Sequence, residues 1–236
     1  MKRLTVMIIV FILCLTFVAC EVNNSNSENS ILKKNVQKGG YITLGKYEQD
    51  NDLSNGKEEI EWLVLDVEDG KALVISKHAL DYQPYNDVKE QTMWEICSLR
   101  TWLNNDFCNN AFSQDEKTQI AFTTIPNDMN GKHNAEFDTM DKVFVLSVTE
   151  AKKYFDSDDL RKCNPTEYAI AQGSIVKNSE GNCSWWLRTI DSTYMSSAAA
   201  VTAGNTWGGY VDEYGYVVNS RCSVRPAMWI DLSKIG

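Results

Sequence analysis

Glu59-Ile60-Glu61-Trp62-Leu63-Val64-Leu65-Asp66-Val67-Glu68-Asp69-Gly70-Lys71-Ala72-Leu73-Val74-Ile75-Ser76 decides the fold class. Ile60, Trp62 and Val64 alternate with Glu61, Leu63 and Leu65, the two-residue period of a half-buried strand. Asp69-Gly70 then separates this run from Ala72-Leu73-Val74-Ile75. An Asp-Gly pair between two such runs is a hairpin signal, because both turn residues take φ > 0. The spacing predicts a hairpin over residues 59–76, preceded by an opening strand at Tyr41-Ile42-Thr43-Leu44-Gly45.

Downstream the period changes. Leu99, Trp102, Leu103 and Phe107 recur at the spacing of an amphipathic helix, with Ser98 as its expected cap. Ser113-Gln-Asp-Glu116 and Ser147-Val-Thr-Glu150 read as capping boxes that open two further helices. Between them, Thr123 to Asp141 is expected to be a long loop and Val143 to Leu146 a short strand. Pro165 stands where a missing N–H is harmless, ahead of a helix over Thr166 to Ala171. The last quarter returns to strands: 184–188, 198–203, 214–218 and one continuous strand from Val224 to Ile230. Strands, then helices, then strands predict an α+β domain with a mainly antiparallel sheet and helices in the middle of the chain. The first and last strands are expected to be neighbours.

The first 40 residues have a different character. Met1-Lys2-Arg3, an apolar run from Leu4 to Val18, and a small residue at Ala19 describe a secretory signal. The run is shorter than the roughly 20 residues a membrane span needs. Residues 20–39 are dominated by Asn, Ser, Glu and Lys and bury too little apolar surface to fold. A coil of that length reaches about 25 Å, which suits a tether. The expected organisation is therefore a signal peptide at 1–19, a flexible polar tether at 20–39 and one domain at 40–236. The 236-residue chain carries a formal net charge of −9. That argues against a nucleic-acid partner, whose phosphates are met by clustered Lys and Arg.

Candidate chemistry is sparse. The chain has only two histidines, His78 and His133. His78 ends a hairpin strand, and His133 sits in a polar loop without a recognisable partner. Asp128, Asn130, Glu136, Asp138 and Asp141 are rich in oxygen but fail the spacing of an EF-hand loop. No metal and no cofactor is expected. Of the seven cysteines, Cys97, Cys108, Cys163, Cys183 and Cys222 lie in the domain. None has a zinc-ligand spacing, and an odd number leaves their pairing open. Arg188 and Arg225 each sit inside an apolar strand, where an Arg must pair or reach water. Each is either a structural clamp or a bidentate clamp on a ligand carboxylate. Of Trp185 and Trp186, at least one is expected in the core. Trp207 and Tyr210 lie among glycines, with Tyr194 and Tyr214 nearby. Aromatics on Gly-, Ser- and Asn-rich loops suit recognition surfaces, since they offer rigid contact area with adaptable hydrogen bonding around it.

Three resemblances add to these readings. Phe17-Val18-Ala19-Cys20 resembles the lipobox of bacterial lipoproteins. It implies lipid on Cys20, an extracytoplasmic location and the membrane as partner through that lipid. Ile60-Glu-Trp62-Leu-Val-Leu65, Leu99-Arg-Thr-Trp102-Leu-Asn-Asn-Asp-Phe107, Asp141-Lys-Val-Phe-Val-Leu-Ser147, Trp185-Trp-Leu-Arg188 and Val224-Arg-Pro-Ala-Met-Trp-Ile230 occur in the same order in an uncharacterised domain. That domain is found in secreted and surface proteins of Gram-positive bacteria, and the resemblance implies no activity. The Trp-rich strand, the Gly/Ser/Asn-rich loops and Val224-Arg-Pro-Ala227 also resemble C-type-lectin-like folds, including formylglycine-generating enzymes. This implies a rigid frame that displays ligand-binding loops. The calcium-lectin motifs are absent, and Cys183 and Cys222 do not align with the generating enzymes' cysteine pair. The expectation is a non-catalytic module for a glycan or protein ligand, contacted through Trp207, Tyr210, Tyr194, Tyr214 and Arg188. The alternative is an enzyme, either an acidic-residue hydrolase or a relative of the generating enzymes.

Overall fold

The computed structural model describes residues 36–127, 137–191, 195–204 and 208–235. Cys20, His133, Asp128, Asn130, Glu136, Tyr194 and Trp207 lie outside them. The architecture is α+β, with two five-stranded sheets, a two-stranded ribbon and short helices. No helix among the described residues is long and apolar enough to cross a membrane.

The first sheet begins with β1 (Tyr41–Tyr47), β2 (Glu58–Glu68) and β3 (Lys71–Ser76). Asp69 and Gly70 have φ of 48° and 72°, the pair of positive values that the hairpin turn requires. Alternation holds from Ile60 to Val64 and then fails, because Leu65 is also buried. The cause is a register shift between Val64 and Asp66 against β3, a bulge that turns one extra side chain inward.

β4 (Asp81–Pro84) passes to the second sheet. A continuous helical stretch follows: an α segment Ser98–Trp102, a π turn Leu103–Phe107 and an α segment Cys108–Ala111. Its buried face holds Leu99, Leu103 and Phe107, as the periodicity required. The cap differs from expectation. Cys97 occupies it and its Sγ accepts the Arg100 N–H at 3.4 Å, while Ser98 is the first helical residue. Both capping boxes are present, on helices Gln114–Gln119 and Val148–Tyr154. Thr166 caps the helix Glu167–Ala171.

Three further expectations are corrected. Thr123 to Asp141 is not wholly loop: β5 (Thr123–Ile125) and β6 (Thr139–Asp141) pair antiparallel. The last strand does not neighbour the first. The order is β1-β2-β3-β12-β7, so β12 (Ala227–Asp231) lies between β3 and β7 (Val143–Phe144) while β1 stands at an edge. Val224 to Ile230 is also not one strand. β11 (Arg221–Val224) belongs to the second sheet and β12 to the first, with Arg225-Pro226 between them. Pro226 has no N–H for a ladder, and the chain changes sheets there.

The second sheet runs β10-β9-β8-β11-β4, with β8 (Trp185–Ile190), β9 (Ser197–Thr202) and β10 (Tyr210–Val217) joined antiparallel. β11 pairs parallel with β8 and antiparallel with β4. Every residue of β8 is buried, so both Trp185 and Trp186 are core. That pattern marks a central strand covered on both faces. One hydrophobic cluster runs through both sheets.

Candidate functional site

Arg188 projects from β8 into the interior and is 1% exposed. Its Nε donates to Asn127 Oδ1 at 3.0 Å, Nη1 to the Val145 carbonyl at 3.0 Å and to Glu150, and Nη2 to the Pro126 carbonyl at 2.9 Å and to Glu150 Oε1 at 2.8 Å. A guanidinium has five N–H donors, and all five are taken by protein. Of the two sequence readings, the structural clamp is what the structure contains. Arg188 cannot also grip a ligand carboxylate, and its assignment as a ligand-binding residue is corrected here. Glu150 is the acidic member of the Ser147 capping box. Arg188 therefore ties β8, that helix start and the end of β5 into one junction.

Arg225 is likewise structural. Its Nε donates to the Ser76 carbonyl at 2.9 Å, and its guanidinium lies 5.2 Å from the Trp185 ring and 5.5 Å from the Phe155 ring. Cation–π contact replaces part of the lost hydration.

Tyr210 and Tyr214 lie on the edge strand β10 and are 59% and 75% exposed. A register shift between Asp212 and Tyr216 surrounds Tyr214, and Asp212 Oδ1 accepts both the Tyr214 and the Gly215 N–H at 3.1 Å. These two tyrosines are exposed, whereas the Arg188 junction is buried.

The cysteines separate into two environments. Cys163 and Cys183 are neighbours: the Cys183 N–H donates to the Cys163 carbonyl at 2.8 Å, and each thiol shifts the titration of the other. Burial pushes the Cys163 thiol up, but the Cys183 thiol and the Arg225 guanidinium outweigh this and bring it below the usual range. Contact with Cys163, then burial, drives Cys183 well above it. Burial also takes Cys222 up to about 12. A reactive cysteine needs a partly exposed site that favours the thiolate. Cys163 and Cys183 are buried, so the pair is placed for structure rather than for attack on a substrate.

His78 follows β3 and is half-buried. Burial and Lys77 hold its imidazole below the usual histidine range. Asp141 is committed to the core, where it accepts from Arg100 Nε at 2.7 Å, Trp94 Nε1 at 3.0 Å and Thr139 Oγ1 at 2.7 Å. That removes one candidate ligand from the oxygen-rich loop.

A feature not legible in the sequence is a polar cleft of about 420 Å³, lined by Gln83, Pro84, Asn86, Asp87, Ile96, Ser98, Leu99, Thr101, Trp102 and Asp106. Its walls are the end of β4 and the exposed side of the helix that begins at Ser98. The Ser98 N–H donates to Asn86 Oδ1 at 3.3 Å, which joins the two walls. Trp102 is half-buried and packs on Phe107, with ring centroids 5.6 Å apart. The Ser98 hydroxyl is buried and has no hydrogen-bond partner. Buried hydroxyls are satisfied in most structures, so this orphan is an irregularity in the cleft wall, with no surface of its own open to the cleft. The π turn at the same helix is a further irregularity of the kind found at functional sites.

The fold and site together define a two-sheet α+β domain with a polar, aromatic-lined cleft against one helix. Residues 69–232 match the family described as Domain of unknown function (DUF6273), and the chain belongs to it. No curated protein and no solved structure gives a match.

Proposed function

We propose that the chain is a non-catalytic recognition module that binds a polyhydroxylated, glycan-like ligand in the cleft beside Ser98. The cleft lining carries the reading as a set, together with the unpartnered Ser98 hydroxyl, which a turn of its side chain would bring to a bound polar group. Trp102 offers an apolar ring surface, Gln83 and Asn86 both donate and accept, and the carboxylates of Asp87 and Asp106 accept from hydroxyls. The two carboxylates and a net charge of −9 disfavour anionic ligands. A cleft of this size falls in the range that holds small ligands. The proposed architecture is C-type-lectin-like, with the exposed Tyr210 and Tyr214 as a separate edge for a protein partner.

The experiment is a glycan array with the full chain, followed by titration of the best ligand. Ser98→Ala removes an unsatisfied hydroxyl, so it leaves folding stability unchanged or slightly higher while weakening binding about tenfold, a loss of about 1.4 kcal/mol. Equal affinity in Ser98→Ala and the parent chain would sink the cleft assignment.

Asp87 and Asp106 in one cleft favour a second reading, glycoside hydrolysis, which uses two carboxylates. Both are exposed, whereas a general acid for this chemistry sits against apolar surface. Release of reducing sugar from array-positive glycans, abolished by Asp106→Asn, would establish that reading instead.

The proposed setting is outside the cytoplasm, held to a membrane by lipid on Cys20. The signal-like start, the lipobox resemblance and the polar tether support it. In a bacterial host the parent chain partitions into the detergent phase on Triton X-114 separation, and Cys20→Ser moves it to the aqueous phase. Aqueous partitioning of both would refute the anchor.

A further inference from the structure

β1 and β2 leave their ladder at Tyr47 and Glu58, which face each other across it. The intervening segment is folded by its own polar groups. Asp50 Oδ1 accepts the Asp52 N–H at 2.8 Å, and Asp50 Oδ2 accepts Asn55 Nδ2 at 2.8 Å. Glu58 Oε2 accepts the Gln49 and Asp50 N–H groups at 2.7 and 3.3 Å. These bonds bring Glu48, Asp50 and Glu58 together, each with a carboxylate oxygen within 4.8 Å of the other two.

A second observation is independent of that clustering. Glu48 is only 7% exposed, and its Oε1 is buried with no hydrogen-bond partner. A buried carboxylate oxygen left unpaired among like charges is costly unless a cation meets it. Among the described residues, no lysine supplies that charge. Lys57, within the same loop, gives its Nζ to the Asn110 carbonyl at 2.7 Å and to the Asn110 side chain. Among the described residues, no Lys or Arg is ion-paired with any of the three carboxylates.

We propose that Glu48, Asp50 and Glu58 form a calcium-binding site in the loop that joins β1 to β2. The donors are all oxygen, which suits a hard cation and disfavours the softer transition metals. Oxygens that share one calcium ion at about 2.4 Å lie no more than about 4.8 Å apart, and the three carboxylates meet that bound. Glu48 is buried, Glu58 half-buried and Asp50 exposed, so one side stays open for water to complete the coordination. Magnesium demands a tighter octahedron and sheds its water reluctantly. The bound ion would fix that loop, which otherwise holds three crowded negative charges.

The test uses the full chain stripped with EDTA, then titrated with calcium chloride by calorimetry and by thermal unfolding. One equivalent binds, with Kd between about 10 µM and 1 mM, the span from sensor sites to extracellular modules. The unfolding midpoint rises with calcium and responds far less to equal magnesium. Glu48→Gln removes a repelled charge, so its metal-free form is at least as stable as the parent, while its calcium affinity falls at least tenfold. No heat and no midpoint shift at 10 mM calcium, an equal response to magnesium, or an undiminished response in Glu48→Gln would each overturn the proposal. If Glu48→Gln fails to fold, terbium luminescence of the parent chain decides. Sensitised emission abolished by calcium supports the site, and its absence refutes it.

Discussion

Glu150→Ala lowers the unfolding free energy by about 3–5 kcal/mol, the range for breaking a buried ion pair by removing one partner. Arg188 is the reason. Its guanidinium is 1% exposed and gives two of its five donors to Glu150. Deleting the carboxylate leaves a cation with no route to water. The same change removes the bond that the Ser147 N–H donates to Glu150 Oε2, one half of the capping box that starts the following helix. Arg188→Met should cost less, because Glu150 keeps 19% side-chain exposure and can turn to solvent. For a domain of this size the first change corresponds to a fall of about 10 °C in unfolding midpoint. Urea unfolding of both variants checks it. A loss under about 1 kcal/mol for Glu150→Ala would mean that the Arg188 junction is not a fixed part of the fold.

Gly215→Ala is expected to be comparably severe. Gly215 has φ of +54°, and an added Cβ would lie 1.7 Å from the Ala198 carbonyl oxygen and 2.5 Å from its carbon. Both are backbone atoms of the neighbouring strand, which can retreat only by breaking the β9–β10 ladder. A loss of at least about 3 kcal/mol follows from backbone strain plus displaced pairing. Gly70→Ala is the control. Its φ of +72° is also strained, but nothing lies within 4 Å of the added atom, so it should cost only about 1 kcal/mol. Similar losses for the two would show that φ alone, and not the approach of the strands, decides the penalty.

What could be read from the sequence was local. Asp69-Gly70 carries its own φ requirement and so announced the first hairpin. Ser113–Glu116 and Ser147–Glu150 each complete their bonds within one helical turn, and Leu99, Leu103 and Phe107 bury the face their spacing implies. What failed depended on distant chain. Leu65 is buried through a bulge whose position only the pairing with β3 fixes. Pro226 was present as a warning, yet treating Val224 to Ile230 as one strand ignored that its halves serve different sheets. Arg188 has one sequence context and two readings, and only Asn127, Glu150 and two distant carbonyls choose between them. The polar cleft joins Gln83 to Asp87 with Ser98 to Asp106, and nothing in either stretch shows that the Ser98 hydroxyl is left unpaired. Glu48 and Glu58 meet only because Tyr47 and Glu58 are register partners.

The most direct test of the recognition proposal is hydrogen exchange of the full chain with and without the array-selected glycan. The account predicts added protection at 83–87 and 98–106, with the β10 segment 210–217 unchanged. Protection confined to 210–217, or none at all under saturating ligand, would contradict it.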